Sequence, residues 1–207
     1  MTFDDEARST LIRVMTWRRD VRHFRPDPVP EAILDDLAQS MRLAPSVGNA
    51  RPWRVIRVED PALRRAVREN FETCNDAAAD HYAGERRQAY AALKLAGLDI
   101  APVQLAVFTD VDPAEGHGLG RHTMPETLMQ STAMAIYGLW LAARAHNLGL
   151  GMVSIIDPAH IEALLAAPQT WRLTAYLCLG YPAFTDDVPL LHRADWQRNT
   201  ASDWQRR

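Results

Sequence analysis

The densest group of chemically capable residues lies at positions 18–22, where the chain reads Arg-Arg-Asp-Val-Arg. Guanidinium groups bind phosphate through forked, charge-assisted hydrogen bonds. Arg18 and Arg22 lie four positions apart, so they would share one face if the preceding helix continued through them, and Arg19 would add a third cation. The structural alternative is that the cations stabilise a helix C-terminus, with Asp20 as a partner in their salt-bridge network. Taken alone, the segment favours this alternative.

Two further segments carry small polar side chains at chain reversals. In APSVGNARPW (44–53), a proline breaks the helix, a glycine permits an unusual backbone conformation, and Ser46 and Asn49 supply hydrogen-bonding groups. In GLGMVSI (149–155), a glycine-flexed entry to a strand places Ser154 near one strand end. By itself, each segment is more simply a turn, or a buried serine bonded to its own backbone, than a ligand contact.

Motifs for several other chemistries are absent. The sequence has no GxGxxG fingerprint, Walker loop, HExxH or GxSxG. His117 and His122 share a loop with Glu115 and could ligate a metal, but an ordinary polar loop is the simpler interpretation. No metal site is predicted.

Composition narrows the class of protein. The chain has 207 residues, of which 47% are hydrophobic and 24% charged, which suits one globular domain. Its net charge of -3 gives no electrostatic footprint for nucleic acid. The N-terminus lacks the apolar run of a signal peptide, and no apolar stretch reaches the roughly 20 residues of a membrane span. Two cysteines cannot form a disulfide framework, which favours a reducing compartment. Together these observations predict a soluble, cytoplasmic protein without nucleic-acid or membrane partners.

Helices and short strands alternate along the chain. The pattern predicts four strands, at 53–58, 103–109, 152–156 and 172–180. Helices are predicted before Arg18, after Pro30, across most of 61–98 with a break near Gly84, and from a capping box at Thr123 and Glu126 to a stop at Gly149. A short helix capped by Asp157 follows. This mixture indicates an α+β or α/β domain with helices covering the sheet.

The helix expected over about 125–147 is apolar on nearly all sides. Ala133, Ile136, Leu139 and Trp140 leave it without a polar face. In a domain of this size, such a helix is central or lies at a subunit interface. An obligate homodimer would account for it.

The three segments together resemble the nitroreductase-type flavoprotein superfamily. The match comprises RRDVRHF, then APSVGNARPW about twenty-five residues later, then an apolar helix followed by LGLGMVSI, and it extends roughly from Thr10 to Gly180. The superfamily pattern is usually Arg-x-Ser-x-Arg-x-Phe, and Asp20 stands here where the serine is common. That aspartate, together with YAALKLAGL (90–98), LGRHTMPET (119–127) and the serine of GMVSI, resembles the 5,6-dimethylbenzimidazole synthase (BluB) branch.

The resemblance implies an overall architecture. It predicts a single nitroreductase-like domain over 1–207, with a central mixed sheet flanked by helices. Members of the superfamily are homodimers that hold FMN at each of two subunit interfaces. A helical lid at about 71–98 would cover the flavin and keep oxygen chemistry away from water.

The resemblance also implies roles for single residues. Within the segment that includes Val21, Arg18 would hold the FMN phosphate, Arg19 would support it, and Arg22 would reach the ribityl and pyrimidine end. Pro45, Ser46 and Asn49 would approach the same flavin from the partner subunit. A C-terminal basic pair commonly completes the phosphate site, and Arg198 is the candidate for it here, although the proline that usually follows the pair is missing.

In the implied reaction, reduced FMN is the substrate. It reacts with dioxygen, the ribityl chain is cut, and the products are 5,6-dimethylbenzimidazole, the lower ligand of vitamin B12, and erythrose 4-phosphate. Asp20 would be the base near the ribityl carbons, because a serine cannot act as a base at neutral pH. Ser154 would lie beside the isoalloxazine and orient the oxygenated flavin or relay a proton. A separate flavin reductase would supply reduced FMN.

Two alternatives remain open at this point. An NAD(P)H-dependent nitroreductase or flavin reductase would use FMN as a regenerated cofactor, and a non-catalytic flavin-binding protein would keep only the fold. Asp20 argues against the first. The complete set of Arg18, Asp20, Arg22, Ser46 and Ser154 argues against the second.

Overall fold

The computed structural model describes residues 1–93 and 95–207. Its helices are α1 Asp5–Trp17, α2 Glu31–Arg42, α3 Pro61–Ala79, α4 Gly84–Ala91, α5 Thr127–Ala145, α6 Pro158–Leu164 and α7 Leu190–Arg193. Its strands are β1 Trp53–Arg57, β2 Val103–Asp110, β3 Gly149–Val153 and β4 Trp171–Gly180. All four predicted strands are confirmed, and so is the break between helices near Gly84.

The strands form one sheet in the order β1-β2-β4-β3. All neighbouring strands pair antiparallel, and within the described residues the parallel pairing expected of a mixed sheet is confined to an isolated bridge between Asp20 and Leu150. The central strands β2 and β4 are buried on both faces, which explains their continuous apolar sequences. This arrangement confirms the α+β class.

Two apolar clusters cover the two faces of the sheet. On one face, α5 and α2 bury Leu139, Ile136 and Leu37 against the strands. On the other face, Phe108 and Tyr176 meet residues from α3 and α6. Among the described residues no further strand pairs with the outer edge of β3, and the chain that follows α1 runs along that edge.

The first helix ends before the arginine segment. Arg18 already has extended backbone angles, φ -74° and ψ 112°, and α1 stops at Trp17. The predicted shared helical face of Arg18 and Arg22 is therefore wrong. The pairing of Asp20 with the edge of β3 replaces the helical hydrogen bonds that a continued α1 would have made.

Both predicted ends of the long helix are also wrong in detail. No side chain caps its start: Glu126 is the N-cap without a side-chain hydrogen bond, so the capping box is not formed. At its end, Asn147 takes the left-handed conformation with φ 60°. Gly149 instead begins β3, which therefore starts earlier than predicted and ends at Val153, just before Ser154.

The apolar surface of α5 divides into two stripes. The sequence predicted Ile136 and Leu139 at a subunit interface. The structure instead buries both in the core of their own subunit. Met134 and Tyr137 are each 43% exposed, and Ala133 is exposed beside them. An apolar stripe thus remains uncovered in the single chain. No helix within the described residues is long and apolar enough to span a membrane.

Candidate active site

A carboxylate is fixed at the free edge of the sheet. The Val21 N–H donates to the Leu150 carbonyl at 3.1 Å, which places Asp20 beside β3. Asp20 Oδ1 accepts from the backbone N–H of Met152 at 2.9 Å, and Oδ2 accepts from Arg22 Nη2 at 2.8 Å. The Asp20 side chain is still 34% exposed. Both oxygen atoms are therefore held while the carboxylate stays accessible.

Two glycines make this close pairing possible. A Cβ at Gly151 would lie 2.0 Å from the Val21 carbonyl oxygen, and a Cβ at Gly149 would lie 2.7 Å from the Val21 side chain. Any larger residue would push the segment that carries Asp20 off the strand. The sequence suggested only a flexible strand entry here, whereas these glycines permit close approach of two backbones.

The two arginines before Asp20 have unpaired donors. The Nε atoms of Arg18 and Arg19 are buried and, within the described residues, have no hydrogen-bond partner. The Arg18 guanidinium lies 5.0 Å from the centroid of the Trp140 ring. Burial, and then the charge of Arg18, lower the pKa of Arg19. Two neighbouring cations with unsatisfied buried donors form a site suited to an anion.

The structural alternative for this segment, in which its arginines serve the helix end or a salt bridge, holds for two of the three arginines. Arg19 donates to the carbonyl of Thr16 at 2.5 Å in the last turn of α1, as the helix-terminus alternative predicts. Arg22 pairs with Asp20, as the salt-bridge alternative predicts. Arg18 makes neither contact in the part of the chain that the structure describes. Of the three, it is the arginine without a side-chain hydrogen bond among the described residues.

An open cleft runs past these side chains. One wall is formed by residues 17–23, a second by Trp140 and Arg144 of α5, and a third by the stretch between Pro182 and Leu190. The phosphate of FMN fits the unpaired donors of the arginines, and the indole supplies an apolar surface beside them.

Ser154 lies on the same sheet edge as Asp20. It follows β3 directly, two positions after Met152, whose amide binds Asp20. Its side chain is exposed, and its hydroxyl has no hydrogen-bond partner among the residues described. The simpler interpretation, a buried serine bonded to its own backbone, is therefore wrong.

The polar turn before β1 lies outside this cleft. Ser46 Oγ accepts from the Arg51 N–H at 3.0 Å, and Asn49 has a left-handed φ of 57°. These are the contacts of a tight helix-to-strand turn, so the structural alternative holds within one subunit. Pro45 and Asn49 are exposed at its surface.

An apolar groove beside α5 lies between the arginine-lined cleft and the polar turn that precedes β1. Pro45 forms one side of it, and Ala133, Met134 and Tyr137 form the other. Tyr137 also lies close enough to Arg19 to act on its charge, raising the pKa that burial lowers. The exposed side of α5 therefore has the arginine cleft at one end and the turn that begins at Pro45 at the other.

Arg198 is not brought to the cleft. Its side chain is 80% exposed and pairs with Asp195 at 3.5 Å. The neighbouring Trp196 instead docks on α4, where the Arg86 guanidinium lies 3.8 Å from its ring centroid and Arg86 Nη2 donates to its carbonyl at 3.0 Å.

The segment predicted as a lid contains the end of α3 and all of α4. Lys94, which falls within the predicted range of 71–98, lies outside the described residues. Tyr82 and Tyr90 stack with ring centroids 4.9 Å apart, and Tyr82 meets Trp196 edge-on at 5.3 Å. These contacts join the segment to Trp196, which follows the cleft wall of 182–190 in the chain.

The aromatic part of the site was not predicted from the sequence. Trp140 was expected only at a subunit interface, yet its Nε1 donates to the Arg19 carbonyl at 3.2 Å and its ring lies beneath Arg18. Arg144, one turn further along α5, lines the same cleft. The spacing of an aromatic residue and an arginine four positions apart on a helix could have indicated them. No group of metal-ligating side chains occurs among the described residues, the loop of His117 and His122 included.

The fold and the cleft define a flavoprotein class, and comparison with known proteins agrees. The model of the nitroreductase family matches residues 15–181. The solved structure of oxidised iodotyrosine deiodinase bound to FMN and 3-iodo-L-tyrosine superposes with a TM-score of 0.73 at 23% identity, covering 95% of this chain and 97% of that one. A nitroreductase with bound FMN from Desulfitobacterium hafniense gives a TM-score of 0.63 at 17% identity, over 85% and 90% of the two chains.

The chain belongs to the nitroreductase family, whose members are flavin-dependent and typically dimeric. Among curated proteins it is 63% identical to a 5,6-dimethylbenzimidazole synthase of Rhodobacter capsulatus, over the whole of both chains. It is 50% identical to the enzyme of that name from Rhodospirillum rubrum, over 94% of this chain and 92% of that one. The predicted family and branch are confirmed, and the protein is an oxidoreductase.

Proposed function

We propose that the chain is a 5,6-dimethylbenzimidazole synthase, which consumes reduced FMN and dioxygen and releases 5,6-dimethylbenzimidazole and erythrose 4-phosphate, with the pyrimidine part of the flavin ring leaving as a separate fragment. The observation that carries this proposal is the carboxylate of Asp20. It stands where the superfamily commonly has a serine, and it is held at the edge of the arginine-lined cleft by the Met152 amide and Arg22. A carboxylate can accept a proton at neutral pH, whereas a serine hydroxyl cannot.

The arginine end of the cleft binds the phosphate in this proposal. Arg18 supplies the unpaired buried donor, and Arg19 adds charge while its Nη2 stays bonded to α1. Val21 fixes the register of the segment along β3 through its amide. With the phosphate at Arg18, the ribityl chain extends toward Asp20, two positions further along.

Proton movement then belongs to two side chains on one sheet edge. Asp20 takes a proton from the ribityl side through its accessible carboxylate. Ser154 follows Met152 by two positions on the same edge, with an exposed side chain and a hydroxyl not engaged elsewhere in the described chain, so we assign it the task of orienting the oxygenated ring or passing on a proton. Reduced FMN, when bound, supplies the electrons for dioxygen and the carbon skeleton of the product.

A second subunit completes the site. Pro45, Ser46 and Asn49 of the partner subunit would reach the flavin across the exposed groove of α5. The uncovered stripe of Ala133, Met134 and Tyr137 supports this arrangement. Sedimentation should give a homodimer at micromolar concentration, and Tyr137→Asp should shift it toward monomers. A stable wild-type monomer of 23.3 kDa would contradict the shared site.

The single domain over 1–207 would close this site with the helices of 71–98 as its lid. The contacts of Arg86, Tyr82 and Tyr90 with Trp196 support that role, because they join this segment to the part of the chain that follows the C-terminal wall of the cleft. Arg198 would contribute to phosphate binding only if the tail were rearranged around it. A separate flavin reductase would supply reduced FMN, in the cytoplasm, where Cys74 and Cys178 remain free thiols.

One assay tests the proposed activity. Purified protein is mixed with chemically reduced FMN in air, and the product is separated by chromatography. We expect 5,6-dimethylbenzimidazole in amounts that rise with protein concentration, and none with heat-denatured protein. Oxidised FMN as the sole flavin product, with steady consumption of added NAD(P)H, would instead identify a flavin reductase.

A further inference from the structure

The polar turn before β1, residues 44–52, has a strained backbone. Gly48, Asn49 and Arg51 have left-handed φ angles of 55°, 57° and 46°. Residues other than glycine seldom adopt this conformation, and it persists where the surrounding structure holds it. In the proposed dimer, this turn presents Ser46 and Asn49 to the flavin of the partner subunit. The neighbours that hold the turn in shape therefore bear on the shared site.

One neighbour is the loop of residues 115–123. A Cβ at Gly48 would lie 3.0 Å from the Gly116 carbonyl oxygen and 3.1 Å from that of Leu119. The backbones of the turn and the loop therefore pack directly against each other, which only a glycine permits here. This contact gives a task to the LGRHTMPET segment (119–127), because it supports the turn without reaching the arginine-lined cleft.

The other neighbour is Ser131, in the second turn of α5. Its hydroxyl donates to the Thr127 carbonyl at 2.6 Å and accepts from the Val47 N–H at 3.0 Å. Because the hydroxyl hydrogen is used within the helix, the oxygen atom is left to accept from the turn. The Ser131 side chain is buried, so water cannot replace it readily. A single side chain of α5 thus fixes an amide in the middle of the turn.

We propose that Ser131 is a positioning residue that holds the polar turn in the conformation by which it contacts the flavin of the partner subunit. This inference rests on the proposed function, since it requires the shared site of the dimer. Ser131→Ala leaves the Val47 amide without its acceptor. The dissociation constant for oxidised FMN, from quenching of flavin fluorescence, should rise by about 3- to 10-fold, the scale of one neutral hydrogen bond.

Thr132→Val is the matched control. Thr132 is the next residue of the same helix and is equally buried, but its hydroxyl bonds to the Leu128 carbonyl and to Thr109 of the sheet, away from the turn. Both variants should lower the midpoint of thermal unfolding, because each loses a buried hydrogen bond. In Thr132→Val, however, the dissociation constant for FMN should change by less than about 2-fold.

A mixed dimer tests whether Ser131 acts across the subunit interface. One subunit carries Arg18→Ala and the other carries Ser131→Ala, and the mixed dimer is purified through a different affinity tag on each. If Ser131 acts across the interface, both defects fall on one flavin site. The second site then combines an intact cleft with an intact turn. Titration with FMN should therefore find one site per mixed dimer with the wild-type dissociation constant.

The outcomes separate the inference from its foundation. Unchanged FMN affinity in Ser131→Ala, or an equal loss in Thr132→Val, would overturn the inference. So would a mixed dimer without a site of wild-type affinity, because Ser131 would then act within its own subunit. A wild-type monomer would overturn the shared site and the inference together. If the unmodified protein forms no dimethylbenzimidazole while all the binding results are as expected, the proposed reaction fails and the role of Ser131 stands.

Discussion

The segment from Arg18 to Arg22 has two ends that differ in how their charged groups are paired. At the first end, Arg18 and Arg19 crowd together, and their buried Nε atoms have no partner among the described residues. At the second end, Asp20 and Arg22 satisfy each other, and the Met152 amide completes the set. Both ends line the same cleft.

The difference separates binding from catalysis. An unsatisfied buried donor costs free energy, so a cleft that retains such donors gains the most from an anionic ligand. A catalytic group has the opposite requirement, because it must already be held in place when the substrate arrives. The first end is therefore suited to hold the phosphate, and the second end to act on the ribityl chain.

The largest effect is expected from Asp20→Asn. The change keeps the size of the side chain but removes the proton acceptor. Product formation should fall by about 10²–10⁴-fold, the usual contribution of a positioned base. FMN should still bind, slightly more tightly, since a negative charge near the phosphate is lost. Chromatography of the product and flavin fluorescence measure the two effects separately.

Asp20→Ser provides the matched variant, because it restores the residue common in the superfamily. It should lose product formation in the same way, while air still oxidises the reduced flavin, since that chemistry belongs to the flavin. Near-normal product from either variant would place the base elsewhere. Asp20 would then be only a partner in an arginine network.

The next largest effect is expected from Arg18→Ala, at the other end of the segment. A charge-assisted hydrogen bond contributes about 1.5–3 kcal/mol, so FMN affinity should fall about 10- to 150-fold. Riboflavin has no phosphate and should lose little affinity. Titration of both ligands by fluorescence measures the difference.

Arg8→Ala is a suitable control for that measurement. Arg8 lies on α1 and pairs only with the exposed Asp5 in the described chain, so neither ligand should respond. Equal losses of FMN and riboflavin in Arg18→Ala would show that Arg18 acts through its packing on Trp140. The distinction between the two ends would then disappear.

Much of the fold could be predicted from the sequence because its signals are local. The apolar runs of β2 and β4 are long and continuous, since both faces of these strands are buried. Asp157 and Pro158 begin α6 as predicted, and the Asp157 side chain accepts from two amides of its first turn. These features depend on residues close together in the chain.

The site was harder to predict because its contacts join distant residues. Asp20 meets Met152 across 132 positions, and Trp140 meets Arg19 across 121. Nothing local indicates that α1 stops at Trp17, since the next residues suit a helix end or a helix interior. Only the pairing with β3 draws Arg18 and Asp20 into extended structure.

Gly151→Ala tests whether the Asp20 end depends on the close approach of two backbones. The added Cβ would lie 2.0 Å from the Val21 carbonyl oxygen, so the segment must move away from β3. We expect a loss of about 1–3 kcal/mol in the free energy of unfolding, as for overpacking in a core, and a loss of product formation. Thermal unfolding and the product assay measure these effects.

Gly84→Ala is the comparison variant for that result. Its position, unlike that of Gly151, has a left-handed φ, of +54°, and no atom lies within 4 Å of the added Cβ. It should lose only the backbone cost of about 1–2 kcal/mol and keep FMN affinity. Full activity of Gly151→Ala would mean that Asp20 does not need its place on the β3 edge.

The smallest effect is expected at the thiol of Cys178, which lies on β4, the strand next to β3. Cys178 pairs with Gly151 across β4 and β3, and burial raises its pKa to about 12. At pH 8 its thiolate fraction is then about 10⁻⁴, whereas Cys74 is only half-buried on α3. A disulfide reagent at pH 8 should modify one thiol per native chain and the second only after unfolding in denaturant. If both thiols of the native protein react promptly, the edge that carries Asp20 opens in solution, and the Asp20 end is then no more rigid than the arginine end.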